Sequence, residues 1–232
     1  MDGVARRGFT TYADQILGKD ADRRSAGLWM QRHFLPAPDT RPGLRHCIKT
    51  AQFLWKDDQR EKAIAVLEVA LQSGISRYGS SDADVLGVTN QLVTYLCDMA
   101  DDHEDRGDLS AARDLAERAQ LVETRETATR PDFILAQVLK RLGDFDESAR
   151  LQRRVLAHST ERLGPTDLGT VHSMIQLSNV LYLRGHEEDT AEALLLARQA
   201  RSIAIATYGE ESQVAVLASE LFSVIEQSVD GG

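Results

Sequence analysis

The chain has 232 residues, with 36 acidic against 27 basic side chains and a formal net charge of -9. That balance argues against a nucleic-acid binder, because phosphate recognition needs a basic face, and no apolar run approaches the ~18 residues that would suggest a membrane-spanning helix. Five prolines and no long Ser/Gly tract argue against a disordered linker, and a hydrophobic fraction of 42% suits a thin two-layer scaffold with much surface.

From the N-terminus, Arg6-Arg7-Gly8-Phe9 resembles a twin-arginine export signal. The stretch after it carries Asp14, Lys19, Asp20, Asp22, Arg23 and Arg24 where export needs apolar residues, so export is rejected. Residues 12–17 and 22–34 follow helical patterns, the second with Ala26, Trp29, Met30 and Phe34 at helical spacing. Leu35-Pro36-Ala37-Pro38 and Pro42-Gly43 then make a firm stop. Paired helical runs follow at 44–55 and 61–76, 85–105 and 110–125, 132–142 and 146–162, and 171–183 and 191–207, with a single run at 213–229. Cys47 and Cys97 suggest no disulfide framework, which fits a reducing cytoplasm.

The pairs repeat. Tyr78-Gly79, Leu163-Gly164 and Tyr208-Gly209 are the same punctuation, and fifteen residues before each first member stands a small residue: Ala63, Ser148 and Ala193. Three and seven residues after each come Val66 and Ala70, Leu151 and Val155, and Leu196 and Ala200; a fourth copy, Ala112, Leu115 and Ala119, lacks the closing glycine. These offsets share one helix face. The small residue permits close approach of a neighbouring helix, and the glycine provides a stop at positive φ. Gln91-Leu92 and Gln176-Leu177 each begin twelve residues after Gly79 and Gly164. Gly107-Asp108-Leu109 and Gly143-Asp144-Phe145 lie between the helices of a pair. The glycines at 107, 143 and 185 are separated by 36 and 42 residues, periods that indicate stacked helical hairpins.

On these residues the sequence resembles the tetratricopeptide repeat family, in the longer-period form of kinesin light chains and bacterial regulators. Gly143-Asp144-Phe145-Asp146-Glu147-Ser148 is similar to that family's Gly-x-Tyr-x-x-Ala turn, and Arg162-Leu163-Gly164-Pro165-Thr166-Asp167 to its Leu-Gly-Pro-Asp linker. The resemblance covers Cys47 to Gly209. It implies an all-α, right-handed α-solenoid of about five helical hairpins plus a C-terminal capping helix. The corresponding division is 1–44 as a degenerate N-terminal repeat or cap, 45–211 as the repeat array, and 212–232 as capping helix and tail. Three departures stand out: Asp58 replaces the first turn glycine, three residues are inserted after Gly185, and about two extra helical turns run from Cys97 to Arg106.

The family implies a partner-binding groove lined by the first helix of each hairpin, where paired asparagines hold extended peptides. Asn90-Gln91 and Ile175-Gln176 stand at that pair's positions, and Lys49, Gln137 and Lys140 lie on the other first helices. A side-chain amide offers both donor and acceptor to a peptide backbone. The acidic run Asp98, Asp101, Asp102, His103, Glu104, Asp105 and Asp108 lacks the loop spacing of a calcium site and reads as a solvated face. Six acids near a helix C-terminus oppose the macrodipole, which favours fraying or a basic partner. His46-Cys47 and His186-Glu187-Glu188 lack metal-ligand spacing, and no phosphate loop or nucleophile elbow occurs. Trp29 and Trp55 are expected to fill inter-repeat space. The expected function is a non-enzymatic cytoplasmic scaffold without cofactor or metal, binding a protein or peptide, with a basic partner favoured by the net charge. The alternatives are a ligand-responsive sensor and a self-assembly module pairing through Trp29, Met30 and Phe34 or Leu221, Phe222 and Ile225.

Overall fold

The computed structural model describes residues 38–122 and 129–230. Within them the chain forms only helices: α1 Arg41–Lys56, α2 Arg60–Tyr78, α3 Ala83–Asp105, α4 Leu109–Val122, α5 Thr129–Leu142, α6 Phe145–Leu163, α7 Leu168–Arg184, α8 Glu187–Tyr208 and α9 Gln213–Asp230. These are four of the expected hairpins and the closing helix. Residues 12–17 and 22–34, with Trp29, Met30 and Phe34, lie outside the described residues. The described residues fall into two compact units, 38–98 with Val122 and 99–121 with 129–230, and the boundary lies within α3.

Two kinds of turn alternate along the chain. Inside the first three hairpins the turn residue is Asp58, Gly107 or Gly143, each at positive φ. Its N–H donates to the carbonyl three residues back (Trp55, Glu104, Lys140), and the next residue's N–H donates to the carbonyl five back (Leu54, His103, Leu139). This is a Schellman closure, which satisfies the last helical carbonyls. Asp58, at φ 57, is the one non-glycine at positive φ among the described residues; a short polar side chain tolerates this region far better than a branched one. The fourth hairpin differs. Gly185 donates to the carbonyl four back, Leu181, in the simpler left-handed closure. α8 then starts at Glu187, so the inserted residues extend its first turn.

Between hairpins, Gly79, Gly164 and Gly209 each take φ 83 to 89 with ψ 155 to 164, in a region open essentially to glycine alone. The tyrosine before two of these glycines fastens the linker one repeat earlier. Tyr78 donates its hydroxyl to the Asp39 carbonyl at 3.2 Å, and Tyr208 donates to that of Thr166 at 2.8 Å. Side-chain caps start the helices of the linkers: Thr40 Oγ1 accepts from Gly43, Asp82 Oδ1 from Asp84, and Asp167 Oδ1 from Gly169.

Each second helix packs through the small residues read from the sequence. Ala63, Ala112, Ser148 and Ala193 are all fully buried. Ser148 satisfies its hydroxyl by donating to the Ala136 carbonyl at 2.7 Å. A further small position lies eleven residues on, at Gly74, Ser159 and Ala204, all buried. A Cβ on Gly74 would lie 2.9 Å from Val85 Cγ2 and 3.2 Å from Leu44 Cδ2, so α2 meets both α1 and α3 there. In the second unit Leu177, Val180 and Leu181 of α7, Ala193 and Ala197 of α8, and Phe222 and Ile225 of α9 form one core cluster. Phe222 and Ile225 are therefore internal and unavailable to pair chains, which corrects the self-assembly surface expected from them; Leu221 packs partly buried against the same cluster.

Two polar features of the second unit have measurable consequences. Arg184 forms a bidentate pair with Asp189 and also reaches Asp146 at 3.2 Å, tying the end of α7 to the starts of α8 and α6. The Arg184 hydrogen bond holds the Asp189 carboxyl below its ordinary 3.8, against the opposing effect of burial. A carboxyl depressed by folding contributes stability above its unfolded pKa and loses it as pH falls through the folded one. Chemical denaturation should therefore find Asp189→Asn less stable than the parent at neutral pH, with a gap that holds down to about pH 4 and closes below it. A pH-independent gap would show that the carboxylate charge contributes nothing. Gln152 is the opposite case. It is fully buried, and neither amide atom has a hydrogen-bond partner, while the same repeat position is Leu67, Ala116 and Ala197. Because stranded polar atoms lose their hydration, Gln152→Leu should stabilise the chain by about 1–2 kcal/mol. A lower melting temperature would mean the amide is satisfied or the leucine does not fit.

Candidate functional site: the amide rows of the first helices

The glutamines of the first helices occupy one repeated position. Gln52 of α1 and Gln91 of α3 are 39 residues apart, as are Gln137 of α5 and Gln176 of α7. In each couple the amides meet: Gln52 Nε2 donates to Gln91 Oε1 at 3.1 Å, and Gln137 Nε2 donates to Gln176 Oε1 at 2.9 Å. The position is therefore filled by glutamine in all four described hairpins. Gln52 was missed by the sequence reading, although the 39-residue spacing pointed to it. The step from Gln91 to Gln137 is 46 residues (137 − 91), which is 39 plus the seven residues of two extra helical turns in α3.

Each couple has its own surroundings. In the first unit, Trp55 of α1 stacks on Tyr95 of α3 with ring centroids 3.9 Å apart, and the Arg60 guanidinium lies 5.2 Å from the Trp55 ring. Trp55 thus bridges successive hairpins, as expected. In the second unit Phe133 and His172, each one turn before its glutamine, are in tilted ring contact at 5.9 Å. Lys140 Nζ donates to Gln176 Oε1 at 3.4 Å. Gln176 Oε1 thus accepts from both Gln137 and Lys140, which leaves its Nε2 to donate toward His172 Nε2 at 3.3 Å. An accepting Nε2 requires a neutral imidazole protonated on Nδ1. The electrostatics agree: burial first, then the neighbouring Lys140, push the His172 pKa below its ordinary 6.5. Burial also pushes Lys140 downward, opposed by Glu104. The half-buried surface thus combines two amides, an ammonium group and two rings.

The other site residues are placed differently. Asn90 is half-buried one residue before Gln91, where its counterparts Ala51, Ala136 and Ile175 are buried; its carbonyl accepts from Thr94 Oγ1 at 2.8 Å. Lys49 is exposed three residues before Gln52, where Val88, Ile134 and Ser173 are buried.

The acidic run meets basic side chains of its own chain. Arg130 pairs with Asp101 at 3.3 Å and Arg141 with Glu104 at 3.4 Å. Arg141 also donates to the Glu104 carbonyl at 2.6 Å, adding a charged donor to a group that already accepts from Gly107 in the turn closure. His103 and Asp108 lie 3.3 Å apart, and Asp108 accepts from the Ala111 N–H of α4. Arg130 and Arg141 stand 29 and 37 residues from their partners in the chain, so the run is not simply a solvated face, and no local pattern marks the pairing. Among the described residues no group of three or more His, Cys, Asp or Glu is arranged to hold a metal, and no helix is long and apolar enough to cross a membrane.

The electrostatics of the second couple can be tested by NMR. His172 should titrate with a midpoint below 6.5, and Lys140→Met should move that midpoint upward. A midpoint at or above the ordinary value would show that burial and Lys140 do not disfavour the charged ring.

Residues 129–206, which hold α5–α7 and nearly all of α8 together with the second amide couple, match the tetratricopeptide repeat family. No significant match is found among curated protein sequences. Among solved structures, the chain is similar to a single-substitution form of a Podosopora anserina putative kinesin light chain with nearly identical TPR-like repeats. The TM-score is 0.54 at 18% identity, over 84% of this chain and 88% of that one. A second crystal structure, of that putative kinesin light chain without the substitution, aligns with TM-score 0.54 at 17% identity, over 83% and 89%. At such identities the likeness speaks for the fold. Tetratricopeptide repeats are in general protein-interaction scaffolds and typically non-catalytic. Residues 129–206 are thus similar to the tetratricopeptide repeat family, and the described helical hairpins share the fold of kinesin-light-chain-like repeat structures.

Proposed function

We propose that the chain is a non-enzymatic scaffold of the cytoplasm that holds an extended peptide, or an extended segment of a partner protein, at the amide couples of its first helices. The observation that carries this reading is the recurrence of glutamine at one position in four hairpins, coupled in pairs at 3.1 and 2.9 Å. Amides held by each other are oriented before a partner arrives, which lowers the ordering cost of binding. In this reading Gln91, Gln176 and Gln137 contact the partner backbone, Lys140 adds a charge-assisted donor, and Asn90 and Lys49 flank the first couple. A basic partner fits the net charge of -9 through long-range attraction, since much of the acidic run is already paired within the chain. Residues 1–44 act as a degenerate N-terminal repeat or cap, 45–211 as the array and 212–232 as the closing helix and tail.

The test uses the tagged full chain and a Gln91→Ala/Gln176→Ala variant as paired baits, followed by titration of each recovered protein, purified, against both. A partner bound directly by the parent and at least about tenfold more weakly by the variant supports the groove reading. Equal binding by both chains places the partner elsewhere and removes the amide couples as the site. Recovery of only further copies of the chain favours self-assembly. Recovery of nothing, together with a ligand-dependent change in scattering radius, favours a sensor.

A further inference from the structure

On α3, α7 and α9 one helix face packs on the hairpin before it. α9 identifies this face, because Ala215, Ala218, Phe222 and Ile225 are buried against α7 and α8. The same register gives Thr170, Ser173, Leu177 and Val180 on α7, and Val85, Val88, Leu92 and Tyr95 on α3, all buried. On α1 it gives His46, Lys49, Phe53 and Lys56. There Phe53 is 64% exposed, whereas its counterparts Leu92, Leu177 and Phe222 are exposed by 1, 2 and 6%. An aromatic side chain thus stands in solvent at a position that is otherwise core.

The approach to this face is that of a continuing array. The linker before α1 is fastened by the Tyr78 hydroxyl on the Asp39 carbonyl, as the linker from α6 to α7 is fastened by Tyr208 on Thr166. Thr40 and Asp167 each directly follow the fastened residue and cap the next helix with a side chain. The 37 residues that precede the described chain are close to one repeat period, 39 in the amide couples, and carry Ala26, Trp29, Met30 and Phe34 at helical spacing. We propose that the Phe53 face of α1 is the docking surface for the chain's own residues 1–37, with Trp29, Met30 and Phe34 covering Phe53. A tethered segment outcompetes a second copy because its effective concentration exceeds that of free chains. The proposal rests on the reading of residues 1–44 as a cap; it does not depend on the glutamine couples, and it shares only Lys49 with the proposed partner site.

Backbone hydrogen exchange of the full chain tests it, with Phe53→Asp and, as a conservative control, Phe53→Leu. The expected result is slowed exchange over residues 22–34 in the parent, accelerated roughly tenfold or more by Phe53→Asp but not by Phe53→Leu, with α7 and α8 unchanged. Free-chain exchange of residues 22–34 in the parent would overturn both the cap and the docking. Protection that survives Phe53→Asp would retain the cap and overturn this surface as its seat. Protection that grows with protein concentration, together with faster sedimentation, would assign the face to a second copy and overturn the proposal.

Discussion

The structure depends on where the backbone is allowed to reverse. A helix ends with unsatisfied carbonyls, and each reversal must satisfy them within a few residues. Two solutions alternate. The Schellman closures at Asp58, Gly107 and Gly143 are followed by a tight return of the chain, while the positive-φ, extended glycines at 79, 164 and 209 release it into a linker before the next helix. With the turns constrained in this way, small side chains at Ala63, Ser148 and Ala193 and at Gly74, Ser159 and Ala204 let the helices approach closely. The tyrosine hydroxyls on Asp39 and Thr166 fasten the linkers.

The amide couples follow from that regularity. Two glutamines meet at about 3 Å only if successive hairpins repeat with a fixed rotation and rise, and both couples share the 39-residue spacing. The extra two turns of α3 change the spacing to 46 residues without changing the residue type, because seven residues are nearly two whole turns and keep the helix face. The acids on those turns are matched by Arg130 and Arg141. Arg141 also takes the Glu104 carbonyl, so like charges at the negative end of a helix are offset by guanidinium groups from the next hairpin.

Repeated turn chemistry leaves the surroundings of the two amide couples free to vary. Beside one couple lie Trp55 and Tyr95; beside the other lie Phe133, Lys140 and His172. The first is an aromatic shelf. The second combines a cation with a neutral imidazole, whose protonation is disfavoured by burial and by Lys140. Chemistry of this kind distinguishes one partner from another without disturbing the packing beneath it.

The sequence by itself determined the helical hairpins, their order and their packing positions, because periodicity, small residues and turn glycines act locally and repeat. Gln91 and Gln176 were legible for the same reason. Only the tertiary structure decided that the glutamines meet in couples, that Lys49 stands exposed at a position buried in the other first helices, and that Phe222 and Ile225 close their own core. It also paired Arg130 and Arg141 with the acidic run and left Gln152 buried without a partner. These depend on which face of a helix meets which neighbour, and that is set by the rotation between successive hairpins. Rotation is a sum over many contacts rather than the property of any motif, so it becomes visible only once the hairpins are packed.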